Sequence, residues 1–337
     1  MFEILGYTMI GIFGLSAMVF TILTVKFLHD KKIEEKEWES FIVKKIDNIG
    51  TVEDLTILPL ADYYAKEDAF ITETGVSYLI KADDKKILFD VGFNVKNEHP
   101  SPLLRNMEKL KIDIEDINAI FISHLHPDHV GGLKAKGNRT FALSREQIDL
   151  KGLRAYVPVE MTHSSANIQV VEEPIKIAEG IVNIGRISRA IWGMGLVYEQ
   201  GIAINVRNKG LVLIVGCGHQ TTEKVLERAN ALVDIPVYGI IGGLHFPVTK
   251  RNDKIFNARR ILGTGKLPWR NVDEKDVEYT IRNIIKQNIE VIGISPHDSC
   301  DWTLEAFRKA FGEKYREILV GEEIKISDRR DVLVEIL

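Results

Sequence analysis

Four side chains able to bind a metal ion stand within six residues of one another in the run ISHLHPDHVGG at 122–132: His124, His126, Asp128 and His129. Histidines two positions apart point about 200° away from each other on a helix, so His124 and His126 converge on one ion only from extended or irregular backbone. The β-branched and aromatic run 117–123 just before them reads as a strand that empties into the cluster. Asp128 and His129 then face a neighbouring position as the chain turns, and Gly131 and Gly132 permit a tight exit. Imidazole and carboxylate together suit zinc, and also iron or manganese.

Three further histidines, His219, His245 and His297, follow apolar runs in LIVGCGH, IIGGLHF and IGISPH. Function concentrates on loops carried by rigid strands, so these six of the nine histidines are the candidates. His29, His99 and His163 read as surface or loop residues. The two cysteines, Cys217 and Cys300, each lie a few residues from a histidine in a glycine- or proline-marked turn. Two thiols make no disulfide scaffold, and their placement points to a reducing compartment. His245 is open to three roles: ligand, acid that protonates a leaving group, or clamp on a substrate.

The elements that position these residues follow from patterning. Strands are expected at 51–59, 76–80, 87–90, 182–184, 201–206, 211–215, 237–241 and 291–294. Helices are expected at 222–232, 273–286 and 303–311, and from Ser101-Pro102, a cap followed by proline, to about Leu110. This order suits two strand-rich halves stacked face to face with helices outside, an α/β architecture. The 337 residues are 45% hydrophobic and 27% charged, which excludes disorder and allows one sizeable core or two. A net charge of −4 lacks the basic balance that attracts nucleic acid, and no nucleic-acid partner is expected.

Residues 4–25 carry no formal charge. At about 1.5 Å each they are long enough for a hydrocarbon core of about 30 Å, and read as one transmembrane helix. Only Glu3 is charged ahead of the run and no small-x-small site follows it, which disfavours a cleaved signal peptide. Lys26, Lys31, Lys32 and Lys36 all follow the run, so the positive-inside rule places the bulk of the chain in the cytoplasm. The expected organisation is a transmembrane helix at 4–25, a charged tether at 26–47 and a catalytic domain at 48–337, in a single-pass membrane protein.

Taken in order, GVSYLI, ILFDVG, FISHLHPDHVGGL, LIVGCGH, IIGGLHF and SPHDSC resemble the signature of the metallo-β-lactamase superfamily from about Val76 to His297. Within it, GCGH and GGLHF are most similar to the branch containing the archaeal dihydropterin-ribofuranosylaminobenzene phosphate synthase. The resemblance implies a four-layer αβ/βα sandwich with a dinuclear metal site at one edge. It implies that His124 and His126, completed by His219, bind one ion, and that Asp128 and His129, completed by His297, bind the other. Asp90 matches the strand-end aspartate that orients the ligand loop from behind. Cys217 stands where the commoner pattern has an aspartate bridging both ions; a thiolate ligand and a small buried cysteine are both open there.

Two divalent ions, zinc first and manganese or iron as alternatives, imply hydrolysis or group transfer at a phosphorus or carbonyl centre, with Asp128 orienting a water. Between Lys250 and Arg270 seven basic residues face one acid, Asp253, and the insertion begins just after His245. It is expected to flank the mouth of the site, with Arg259 and Arg260 meeting a phosphate-bearing small molecule or the basic face meeting anionic lipid. The alternative is a transferase of the synthase type just named. A membrane-tethered metal sensor without catalysis ranks below both.

Overall fold

Strand residues that are apolar on both faces need cover on both sides, and the fold supplies it. In β12 (Gly210–Val215), Leu211, Leu213 and Val215 enter one buried cluster while Val212 and Ile214 enter another. In β3 (Lys85–Phe89), Ile87 and Phe89 point into the second cluster and Leu88 into a third. The computed structural model describes residues 2–251 and 254–328, without the side chains of 2–12 and 254–256. Asp253 and the side chains of the first part of the expected span, 4–12, therefore lie outside the described residues.

The first seven-stranded sheet contains β1 (Asp54–Ala61), β2 (Ser77–Ala82), β3, β4 (Ala119–Phe121), β5 (Arg154–Val157) and β6 (Asn167–Val170) in chain order. The late strand β16 (Ile324–Ser327) pairs outside β1. The second sheet runs β15 (Tyr315–Arg316), β14 (Val291–Ile294), β13 (Val237–Gly242), β12, β11 (Ile202–Val206), β8 (Ile181–Asn183) and β7 (Ile175–Ala178). Between β8 and β11 the chain makes a separate hairpin, β9 (Ile187–Ile191) and β10 (Gly195–Glu199).

The sheets face each other across a core that includes Ile57, Tyr78, Phe89, Ile204 and Ile214. The outer face of the second sheet is covered by α4 (Thr222–Leu232), α6 (Glu274–Lys286) and α7 (Asp301–Phe311), through Val225, Val277 and Phe307. The outer face of the first is covered by α2 (Pro102–Lys109), through Leu103 and Met107. The result is a mixed α/β sandwich in four layers. Its helix starts follow local chemistry: Ser101 Oγ accepts from Leu104 N at 3.2 Å, and Asp273 and Asp276 form a reciprocal capping box on α6.

Strands β3 to β6 are parallel, as are β12 to β15. In such sheets ligands bind beyond the carboxyl ends of the strands, where the following loops converge. The loops after β3, β4, β12, β13 and β14 carry Asp90, the 123–132 run, Cys217 and His219, His245, and His297, respectively.

The first helix, α1 (Phe2–Ser40), continues from the expected span into the stretch expected as a tether and ends at Ser40, short of residue 47. Its described part is long and apolar enough to cross a membrane, with an 18-residue window of mean hydropathy 1.3 that is almost wholly exposed. From about Leu23 onward the helix packs on the β9–β10 hairpin. Leu23, Phe27, Asp30, Glu34 and Glu37 recur at helical spacing on the docked face. Buried Glu34 meets Arg189 at 3.0 Å, Lys224 at 2.8 Å and the Ala190 N–H at 2.9 Å, and Tyr198 donates to Glu37.

Candidate metal centre

The loop after β4 turns at once because Asp90 takes hold of its start. Asp90 Oδ1 accepts from Ser123 N at 2.7 Å, and Oδ2 accepts from Ser123 Oγ at 2.6 Å. His129 Nδ1 lies 2.6 Å from Asp90 Oδ2, which makes it the donor and leaves Nε2 facing inward. The Ser123 hydroxyl proton points to Asp90, so its oxygen accepts from His124 Nδ1 at 2.9 Å and leaves His124 Nε2 with a lone pair. At the exit Gly131 adopts φ +84, and a Cβ there would strike the Ala142 carbonyl, so only glycine fits.

A second relay, spanning both sheets, repeats this arrangement. Asp62, at the end of β1, accepts from Ser295 Oγ at 2.6 Å and from Tyr78 OH at 3.1 Å. Ser295 Oγ in turn lies 2.5 Å from His297 Nδ1, leaving His297 Nε2 facing inward. His219 Nδ1 is held by the Gly263 carbonyl at 3.0 Å. Glu199 fixes the turn that carries His219, accepting from Gly218 N at 2.9 Å and His219 N at 2.8 Å.

These inward nitrogens gather around one thiol. Cys217 Sγ lies 3.1 Å from His129 Nε2 and 3.2 Å from His297 Nε2. Asp128, His129, Cys217 and His297 offer ligand atoms within 4.8 Å of one another, and so do His124, Cys217 and His219. His126 Nδ1 is 3.2 Å from His219 Nε2, and its ring centroid is 4.5 Å from that of His124. The six residues expected as ligands therefore come together, and Cys217, expected beside them, occupies the position common to both groups. A third group, Cys217, His245 and Asp298, overlaps them. His245, at φ +55, donates its N–H to Asp298 Oδ2 at 3.1 Å and places its ring 4.5 Å from that of His219.

Burial keeps His124, His126, His245 and His297 well below the usual imidazole range, and it brings His219 down to about 3. These rings are neutral at physiological pH. Burial also opposes charge on His129, but Asp90 and Asp128 outweigh it and raise its pKa to about 9. Burial pushes the Cys217 thiol up, with Asp128, Asp298 and Glu199 adding to it, and pushes Glu199 up to about 7. A dication held by these residues would favour the deprotonated imidazole and the thiolate.

Among the described residues, buried His124 Nε2, His126 Nε2 and both ring nitrogens of His245 find no hydrogen-bond partner. Buried polar atoms are ordinarily satisfied, so a cluster of inward lone pairs beside a thiol and a carboxylate fits a cation.

Arg259 and Arg260, expected on the substrate, are engaged by the protein itself. The insertion folds as helix α5 (Lys254–Leu262), which turns both guanidinium groups inward. Arg259 bonds Asp128 Oδ2 at 2.8 Å, the Thr74 carbonyl at 2.7 Å and the His297 carbonyl. Arg260 bonds the Pro247 and Val248 carbonyls. The mouth beside His219 and His245 is instead lined by Arg189, Thr264 and Lys266. Asp62, Glu199, Ser123, Ser295 and Asp298 were not evident from the motifs; DSC after His297 was the one local signal for Asp298.

Residues 72–145 match the family model of the metallo-beta-lactamase superfamily. Over 257 residues the chain is 28% identical to the 7,8-dihydropterin-6-methyl-4-(beta-D-ribofuranosyl)-aminobenzene-5'-phosphate synthase of Methanocaldococcus jannaschii, covering 64% of this chain and 85% of that protein. An uncharacterized protein of the same organism, MJ0448, is 28% identical over 198 residues, 52% of this chain and 74% of that one. In fold, the chain is similar to Tm1679, a metal-dependent hydrolase of the beta-lactamase superfamily, with TM-score 0.56 and 20% identity, covering 81% of this chain and all of that one. The matched segment holds Asp90 and the whole His124–His129 run, and the sandwich carries it at the expected strand ends: in this segment and in its fold the chain is similar to the metallo-β-lactamase superfamily.

Proposed function

We propose that this chain is a membrane-anchored, metal-dependent hydrolase acting on a phosphate-bearing or ester-type substrate. The observation that carries the reading is the set of buried imidazoles, those of His124, His129, His219 and His297, whose Nδ1 atoms are tied back and which gather around Cys217. His124, His126 and His219 would hold one divalent ion and Asp128, His129 and His297 a second, with Cys217 between them. Zinc suits this donor set, and manganese or iron also fit. When bound, the ions supply Lewis acidity, lowering the pKa of water from about 15.7 toward 7 and stabilising charge on the attacked oxygen.

The protein's own groups divide the remaining work. Arg259 holds the Asp128 carboxylate in one orientation, so that its free oxygen can align a water. His245, neutral and with both ring nitrogens unpaired at the mouth, can carry a proton to a leaving oxygen. Arg189 and Lys266 line the mouth, each paired with a carboxylate of the protein, Glu34 and Asp276.

The test is metal content and turnover together, across phosphodiesters, phosphomonoesters and thioesters. Wild type should carry divalent metal and turn over one class; His126→Ala should lose metal and at least roughly a thousandfold in rate, about 4 kcal/mol. Turnover that persists in His126→Ala after its metal is gone contradicts the reading. A second reading, group transfer of the synthase type, is supported by the 28% identity over 257 residues to that enzyme.

A further inference from the structure

Two parts of the sandwich reach α1 near the end of its charge-free run. The Trp192 ring in the β9–β10 turn lies 5.4 Å from that of Phe20, and the Trp269 ring, between α5 and α6, lies 5.7 Å from it. Trp192 Nε1 donates to Thr24 Oγ1 at 3.2 Å, and Leu196 and Leu267 join Leu23, Phe27 and Trp192 in one apolar cluster. Around that contact Met194, Ile261, Leu262 and Trp269 stay exposed, Trp269 by 57%. They continue the exposed apolar surface of α1 at Phe13, Met18, Phe20 and Ile22. Single exposed apolar side chains are ordinary, whereas a patch continuous with a candidate span calls for an occupant.

Depth along the helix identifies that occupant. Phe20 precedes Val25, the last residue of the charge-free run, by five residues, or about 7.5 Å. Side chains seated against Phe20 therefore lie within about one and a half helical turns of the end of the run, next to the level where a bilayer's interface falls. Indoles with one polar edge favour that level, and exposed Arg270, next to Trp269, adds positive charge near anionic headgroups.

The same segment is a wall of the metal centre. The Gly263 carbonyl holds His219, a Cβ at Gly263 would collide with His245 Nε2, and Gly265 rests against Arg189. Six residues separate Gly263 from Trp269, at most about 21 Å of extended chain. The mouth of the site and the apolar patch are two ends of one short stretch.

We infer that residues 261–270 and the β9–β10 turn sit in the headgroup layer, and that the site takes its substrate from that leaflet: a lipid with an anionic, phosphate-bearing headgroup whose acyl chains stay in the bilayer. This rests on the membrane-anchored hydrolase reading and narrows its substrate class. One water is consumed: its oxygen bonds to phosphorus, the ester P–O bond breaks, and the departing alcohol takes a proton. No other co-reactant is needed.

Two readouts on the full chain in vesicles of phosphatidylcholine and phosphatidylglycerol separate the parts of this inference. A nitroxide on Trp269→Cys should be oxygen-accessible at headgroup depth, while one on Ile42→Cys, beyond the end of α1, should be water-accessible. Cys217 and Cys300 are buried and stay unlabelled. Equal water access at both positions overturns the placement whether or not the protein turns anything over. In the second readout, Trp269→Glu should cut turnover of vesicle phosphatidylglycerol by roughly tenfold and leave that of bis(p-nitrophenyl) phosphate unchanged. Turnover of the soluble ester alone overturns the lipid substrate and spares the hydrolase reading. Turnover of neither removes both, and the label depth still decides the placement.

Discussion

The ligand cradle and the rim beside α1 are built on opposite terms. In the cradle, the imidazoles of His124, His129, His219 and His297 are tied from behind by a serine, a carboxylate or a carbonyl, and His124 Nε2, His126 Nε2 and both His245 nitrogens have no partner. At the rim, charges are paired across elements, as with Glu34 between Arg189 and Lys224, and apolar rings face outward. The cradle leaves its reactive atoms open on a rigid frame; the rim satisfies its charges and leaves apolar surface open. The difference teaches that chemistry and location are encoded separately, joined through Arg189, which touches both.

The largest effect that breaks the comparison from the rim side is Glu34→Ala. It strands Arg189 and Lys224 without their carboxylate, and breaking a buried pair costs about 3–5 kcal/mol. Because Arg189 and Lys224 keep some exposure, at 16% and 18%, about 3 kcal/mol is expected, read as loss of hydrogen-exchange protection at Ala190. Metal content should not change. Coupled loss of metal would show that rim and cradle are one unit.

From the cradle side, Asp90→Asn and Asp62→Asn each disturb a relay without removing a ligand. Metal affinity should fall about 10–100-fold in each, since groups that orient ligands matter at that scale. An unchanged dissociation constant for one of the two would make the sheets unequal. The smallest effect is one of pH. Burial opposes ionisation of Glu34, but Arg189, the Ala190 N–H and Lys224 outweigh it and hold its carboxyl below the usual range. A lowered folded-state pKa gives stability that is complete above the unfolded value, near 4.5, and fades as pH falls toward the folded value. Protection at Ala190 should therefore be level from pH 6 to 8 and decline below about 4.5.

The division also explains what the sequence made legible. His124 to His129 are contiguous, so ligand types and spacing were visible in one glance, and the apolar runs marked β12, β13, β14, α4, α6 and α7 closely. The relay through Asp62 was not visible, because Asp62 and Ser295 are 233 positions apart and meet only once the two sheets stack. Glu199 was hidden for the same reason: it ends a hairpin strand and acts on a turn 19 residues later. Strands β9 and β10 lacked a clear alternation because α1 covers residues that would otherwise face water. The docked face of α1 did leave a trace, the recurrence of Leu23, Phe27, Asp30, Glu34 and Glu37, which the charge of the segment obscured. The basic insertion is read from sequence as meeting an anionic substrate or lipid, because nothing in the sequence shows that Arg259 and Arg260 bond acceptors of the protein itself.

Titration of metal-free protein with cobalt(II), followed in the near-ultraviolet, tests the central claim most directly. The account predicts two ions bound per chain, with a thiolate-to-cobalt charge-transfer band that disappears in Cys217→Ser and persists in Cys300→Ser. Stoichiometric cobalt binding with no such band would take Cys217 out of the centre, and failure to bind cobalt at all would contradict the claim that these imidazoles are arranged to hold metal.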